Sequence, residues 1–449
     1  MDKKTVGVTH QQFDFDGGSC LRLLERNNLI QEKIFGVDPL KEKIGTGEIQ
    51  EAIFVDITPE EEFNDLTATI FDHHRTEDEE EKQLTAFDIL LGNKGLMGLD
   101  EDKVRQWQKL VEMGDRKTEN DNMDIARILK RLHLTLSDEK VYQKCFAPLF
   151  DAFFDNRDPH TKRNFSIFRD KAQQFISENP DLPGVETIQR WLERMQEPEK
   201  LFRGSPRNFC HYFIYLDPEE VKKWTELVLH GIYNEQLMFQ KDIQDFLESQ
   251  VYVFGDVPVI TSLNSSPTFL RAARYMIYSN NEESQPLLQE KITNRNSPWI
   301  LIKVDPETKN FQVFVNAGKK IGKAIFPEIV KGLRAEILIK RGLKVPPWQE
   351  LVEDGVLSGT EPLYYNKVET GFSNILWGSL KIPAPPAKDF GGTASKILER
   401  LSEIIKYAVD REYFPYDCNP ERCKQCSIYQ WQLKKCFLKR KEVRTNSNS

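Results

Sequence analysis

Three short apolar runs near the start of the chain each stop on polar residues able to ligate metals. KTVGVT (4–9) ends at His10, EAIFV (51–55) at Asp56, and ATIF (68–71) at Asp72-His73-His74. Apolar runs this short, bounded by polar residues, read as buried strands. After the first run, Gly17-Gly18-Ser19 opens an apolar-periodic helix, CLRLLERN, so the order is strand, loop, helix. Parallel α/β sheets bind ligands at the carboxyl ends of their strands, and the polar residues fall at that edge. Further on, EDKVRQWQKLVEM (101–113) has helical apolar spacing at Val104, Trp107, Leu110 and Val111 and ends at Gly114-Asp115, which brings another acid to the same edge. The expected fold class is α/β: a parallel-sheet catalytic domain, a helical linker, and a smaller C-terminal α/β domain with a cysteine-bearing tail.

In HQQFDFD the spacing is HxxxDxD, so Asp14 and Asp16, as alternate residues of a loop, can face one way with His10 beside them. With Asp56, Asp72 and Asp115, five aspartates meet His10, His73 and His74 at one edge. Carboxylates so crowded raise one another's pKa, and burial adds to it. Bound cations are the natural counter-charge, and a shell of carboxylates mixed with imidazoles suits manganese, magnesium, cobalt or iron better than zinc. The chain as a whole is acidic, with net charge −8 and pI near 5.6. It therefore lacks the global basic field of a non-specific duplex binder, and a nucleotide substrate would have to be held locally.

VTHQQFDFDGGS, IFVDI, IFDHH and EMGD, in this order, resemble the four metal-binding motifs of the DHH phosphoesterase superfamily. A DHH triplet alone is most often a surface turn; the ordered set carries the resemblance, over residues 5–118. It implies hydrolysis of phosphate esters or anhydrides with two divalent metals, Mn2+ first and Mg2+ or Co2+ as alternatives. It also implies that His10, Asp14 and Asp56 hold one metal and that Asp16, Asp56, His73 and Asp115 hold the other, with Asp56 as the bridge. His74 would face the substrate phosphate, and Asp72 would orient the neighbouring histidines. Two metals about 3.5–4 Å apart can activate a shared water and stabilise both oxygens of an in-line displacement. The sequence near these residues has no GxSxG elbow and no Walker-type loop, so no protein nucleophile is expected. The acidic run 77–81 reads as a solvated loop.

Roughly residues 120–180 read as helical, NPDLPGVE (179–186) as a boundary, and 218–248 as a long helix with its stripe through Val221, Trp224, Leu227, Val228 and Ile232. VYVFGDVPVITSL follows, then the helix FLRAARYMIY and the hairpin PWILIKV/FQVFVNA around DPETKN. The domain limits expected are 1–180, 181–250, 251–400 and 401–449. Superfamily members often carry a GGGH-like signature in the second domain. Here DFGGTAS offers only Gly391 and Gly392, which would expose amides for a phosphate or carboxylate or serve as a plain linker. Cys418, Cys423, Cys426 and Cys436 are spaced C-x4-C-x2-C-x9-C, a metal-site pattern for zinc or an iron–sulfur cluster. Lys434, Lys435, Lys439 and Arg440 beside them could contact a nucleic-acid backbone, or form a solvated tail. His133, His160, His211 and His230 have no acidic or cysteine partner at ligand spacing and are taken as ordinary, as is Cys20.

The start MDKKTVGVTH is too polar for a signal-peptide core, and no apolar run approaches spanning length, so a cytoplasmic protein without membrane partners is expected. The functional expectation is a two-metal phosphodiesterase or exonuclease acting on a nucleotide, oligonucleotide or single-stranded nucleic acid. The alternatives are a pyrophosphate or polyphosphate hydrolase, and a non-catalytic module that binds nucleic acid or a second messenger. Oligomeric state is not legible.

Overall fold

The structure is a computed structural model. It describes residues 4–59, 63, 66–72, 84–95, 98–115, 123–155, 157–181, 184–203, 205–278, 286–294, 297–316, 322–366, 372–378 and 384–409. Contacts divide the chain into two compact units, Met1–Leu237 with Leu380–Ile382, and Met238–Ser379 with Pro383–Ser449.

The first unit is built on a four-stranded sheet of β1 (Lys4–Thr9), β2 (Glu32–Phe35), β3 (Ile49–Val55) and β4 (Thr67–Phe71). The strand order is β2-β1-β3-β4, and every pairing is parallel. Parallel strands need crossovers. Helix α1 (Phe15–Arg26) links β1 to β2, and α2 (Val37–Ile44) links β2 to β3. Val6, Val8, Ala52 and Phe54 bury on one face with Leu40 of α2, while Ile53, Val55 and Phe71 join the larger core of α1 on the other. Both faces of β1 and β3 are thus covered, which explains their apolar runs. β4 instead forms the sheet edge with Thr67, Ala68 and Ile70 exposed, so ATIF is not the buried strand its composition suggests.

On the second face lie α3 (Ala86–Lys94), α4 (Glu101–Asp115) and α5 (Ile125–His133). One further helical run, Asp138–Val141, Tyr142–Phe146 and Ala147–Phe154, has a π-helical middle. Trp107 of α4 is fully buried. It stacks on Phe15 at 4.8 Å and meets Phe150 at 5.0 Å and Tyr212 at 5.3 Å. Its indole donates to Ser19 Oγ at 2.8 Å, which satisfies the one polar atom this ring brings inside. Ile188, Trp191 and Met195, after NPDLPGVE, bury in this same core. The long helix forms as read, over Pro218–Leu247. It runs straight through Gly231, where an added Cβ would lie 3.2 Å from Leu132 Cδ2. The glycine there permits close packing and does not break the helix.

The second unit contains β5 (Gln250–Phe254), β6 (Val257–Leu263), β7 (Trp299–Val304), β8 (Phe311–Asn316), β9 (Gly355–Val356), β10 (Leu363–Asn366) and β11 (Phe372–Trp377). Their order is β5-β6-β7-β8-β11-β10-β9, with only β6 and β7 parallel. The hairpin around DPETKN is β7 and β8, as expected. The stretch containing KVETGFSNILWG extends the same sheet through β11, which pairs with β8. KIPAPPAKDFGG reads as a linker, but its described part is packed: Ala387 and Phe390 are buried, Pro385 O accepts from the Trp377 indole at 2.8 Å, and Phe390 meets the Phe311 ring at 5.2 Å. Among the described residues no helix is long and apolar enough to cross a membrane.

Truncating Trp107 removes the ring on which these helices converge. Trp107→Ala is expected to cost about 3–5 kcal/mol, read as a lower urea midpoint for the first unit with an unchanged slope. A loss under about 1 kcal/mol would mean that the aromatic cluster repacks.

Candidate metal centre

Strand order β2-β1-β3-β4 reverses direction between β1 and β3, and such a switch point opens a crevice at the carboxyl ends of the two strands. His10 follows β1 and Asp56 follows β3. Asp14 caps α1 from the intervening loop, accepting from Asp16 N at 3.1 Å and Gly17 N at 3.4 Å. One ligand atom from each of His10, Asp14 and Asp56 lies within 4.8 Å of the others. The first two motifs therefore meet where the sheet topology calls for a ligand.

Local geometry aims each side chain. Asp56 has φ +53°, a left-handed conformation that few residues other than glycine accept and that aspartate tolerates. Its amide donates to Phe71 O at 3.0 Å, tying the turn to β4. At Gly17 an added Cβ would lie 2.3 Å from Thr9 Oγ1 and 3.6 Å from Asp56 Cβ, so only glycine lets α1 start this close to the strand ends. Phe13 and Phe15 flank Asp14 and are both buried. Phe13 lies 4.9 Å from the His133 ring, while Phe15 stacks on Trp107, so the loop is anchored in the core on either side of its carboxylate.

Electrostatics and tautomer suit a cation. His10 Nδ1 donates to Gln11 O at 2.9 Å, which leaves Nε2 turned to Asp56 Oδ2 at 3.0 Å and Asp14 Oδ2 at 3.5 Å. A carbonyl on one ring nitrogen is the usual way to present the other to a metal. Burial alone would favour the neutral ring, but hydrogen bonds and charges from Asp14 and Asp56 outweigh it and raise the His10 pKa from 6.5 to about 10. In this arrangement the imidazolium supplies the positive charge that two close carboxylates require. A divalent cation bound by the same three side chains would take over that task, so the donor set fits one.

The other residues singled out in the sequence are placed differently. Asp16 is buried at the start of α3, accepting from Ala86 N at 2.7 Å and Phe87 N at 2.8 Å. Burial and the nearby Asp16, Asp56 and Asp14 push the Cys20 thiol well up, and as a neutral S–H it lies 3.9 Å from Asp16 Oδ1. Asp72 accepts from Thr58 Oγ1, next to the turn of Asp56. Helix α4 ends on Asp115, and Arg207 fixes that end by donating to Met113 O at 2.7 Å while pairing with buried Asp124 at 2.5 Å. The side chain of Asp115, together with His73, His74, Cys418, Cys423, Cys426, Cys436 and the basic tail, lies outside the described residues. Gly391 has φ +147° and its amide donates to Lys388 O at 3.1 Å; Thr393 Oγ1 accepts from Lys396 N at 3.3 Å at the start of the terminal helix.

Two residues outside the expected ligand set prove to touch the first motif. His133, taken as ordinary, donates from Nε2 to Phe13 O at 3.0 Å; its Nδ1 lies 2.9 Å from Asp138 Oδ1 without a hydrogen bond between them, and Asp138 Oδ1 accepts from Gln12 N at 3.0 Å. The spacing H-x4-D was present in the sequence, but nothing local connects it to a loop 120 residues away.

No family model matches the chain, and no curated protein matches it. Among solved structures it is similar to a pGpG-specific phosphodiesterase from Vibrio cholerae, at 15% identity over 73% of this chain and 88% of that one, with a TM-score of 0.28. It is also similar to RecJ from Thermus thermophilus in complex with Mn2+, at 12% identity over 96% of this chain and 57% of that one, with a TM-score of 0.42. A third is the DHH domain of a member of a family of ribosomal proteins, at 12% identity over 90% and 87%, with a TM-score of 0.35. In its ordered motifs the chain resembles the DHH phosphoesterase superfamily.

Proposed function

We propose that the protein is a metal-dependent hydrolase of phosphodiester bonds in a nucleotide-containing substrate: a single strand, a short oligonucleotide or a cyclic nucleotide. The observation that carries this reading is the cluster of His10, Asp14 and Asp56 at the β1/β3 switch point, with Nε2 of His10 facing both carboxylates. In this reading these three hold one divalent cation, and Asp56 is shared with a second held by Asp16, His73 and Asp115. Two such cations supply a water activated at neutral pH and charge stabilisation for the displaced oxygen.

The chain's own residues do the rest. His10 keeps its Nδ1 proton on Gln11 O and would present a deprotonated Nε2 to the metal, its proton released to water. Asp72, steadied by Thr58, orients the adjacent histidines, and His74 faces the substrate phosphate as a donor. Manganese is the metal of choice for a shell of carboxylates and imidazoles without thiolate.

Asp56→Asn is expected to reduce hydrolysis to background at every manganese concentration. His74→Ala should lower turnover by about 10²–10³-fold with metal still bound. Metal analysis and rates on both variants decide this, and near-normal activity in Asp56→Asn would overturn the assignment. Prolonged dialysis against EDTA should inactivate the protein, and Mn2+ should restore it better than Zn2+. Full activity in excess chelator would exclude the metal-dependent reading. A screen of labelled single strands, oligoribonucleotides, cyclic nucleotides and pyrophosphate fixes the substrate class, and turnover of pyrophosphate alone would replace the phosphodiester with an anhydride.

A further inference from the structure

We propose that Asp138 and His133 are positioning residues that hold the loop between His10 and Asp14 in its metal-gathering shape; this rests on the metal-binding reading above. The loop needs holding because Gln12 sits at φ +51°, a left-handed conformation that side chains with a Cβ rarely adopt. A strained residue persists only where its surroundings over-determine it. Here Asp138 Oδ1 accepts the Gln12 amide at 3.0 Å, and His133 Nε2 donates to the carbonyl of the next residue, Phe13, at 3.0 Å. The two side chains also face each other, His133 Nδ1 lying 2.9 Å from Asp138 Oδ1.

The brace is rigid. The His133 side chain is 2% exposed and that of Asp138 17%. The His133 ring stands edge-on to Phe13 at an interplanar angle of 89°. Tyr142 and Phe146 close on the same Phe13 ring at 5.8 Å each. The backbone and the one apolar side chain of the loop are therefore gripped by α5 and the helical run that begins at Asp138, while His10 and Asp14 are left facing Asp56. None of the described contacts of His133 or Asp138 is with His10, Asp14 or Asp56, so the pair acts through the loop alone. Partners that orient metal ligands in this indirect way are typically worth about 10–100-fold in metal affinity.

The test is Mn2+ affinity of the full-length protein by titration calorimetry, with circular dichroism and thermal melting on every variant. Asp138→Ala is expected to bind Mn2+ about 10–100-fold more weakly than wild type. Asp138→Asn, which keeps an acceptor for the Gln12 amide, should stay within a few-fold. Adding Gln12→Gly to Asp138→Ala should recover affinity, because glycine adopts φ +51° without strain. A merely structural role would not show that recovery. His133→Phe keeps the ring against Phe13 and loses the donor, so it serves if Asp138→Ala fails to fold; it too should weaken Mn2+ binding. Wild-type affinity in folded Asp138→Ala or His133→Phe, or no recovery in the double variant, overturns the proposal while leaving the metal centre intact. A wild-type protein that binds no Mn2+ instead removes the metal-binding reading, and this proposal with it.

Discussion

Two carboxylates, one of them buried, crowd a buried imidazole within 4.8 Å, and such a group calls for a positive charge among its members. Asp14 and Asp56 raise the His10 pKa against the pull of burial, so the imidazolium form supplies that charge when no cation is bound. Much of the first unit is arranged to bring about this crowding. The strand order places β1 and β3 side by side. Gly17 admits α1 to contact with Thr9, and Asp56 accepts a left-handed backbone so that its carboxylate turns toward His10. Together they make a site whose facing oxygens and fixed tautomer suit a divalent ion.

β1 and β3 and their polar ends were legible because a strand buried on both faces leaves an unbroken apolar run, and the residue that stops it marks the sheet edge. His10 and Asp56 could be read that way, whereas Asp72 ends β4, an edge strand with Ile70 exposed; the hairpin around DPETKN and the helix Pro218–Leu247 were legible too. Asp16 shows the limit. Its spacing from Asp14 suggests a shared direction in an extended loop, but Asp14 is an N-cap, so Asp16 already lies in the first turn of α1 and reaches α3. Helix periodicity replaces strand alternation within two residues, and a sequence pattern does not say where. His133 and Asp138 were invisible for another reason: their partners are backbone groups, which every residue has. The extension of the second sheet by β9, β10 and β11 was not legible: β9 and β10 are only two and four residues long.

Chemistry and packing are interleaved in the first motif. In Phe13-Asp14-Phe15-Asp16 both aromatic rings enter the core, Asp14 faces His10 and Asp16 binds another helix. A loop anchored in the core on both sides of Asp14 would have little freedom left to lose on binding an ion. Its preorganisation is part of the stability of the unit.

Sequence distance along the chain gives the contact between Gln12 and Asp138 a consequence for the order of folding. The two residues are 126 positions apart, and Phe13 is 120 from His133. Closing loops of that size costs chain entropy before any contact repays it, so such contacts form late. The segment bearing all four motifs ends well before Asp138. During synthesis, then, all four motifs emerge before the braces that shape the first of them, and the His10–Asp14 loop takes its form only when the helices beyond it have docked. A chain interrupted between residues 118 and 133 would carry the full set of motifs without the means to hold the first of them in place.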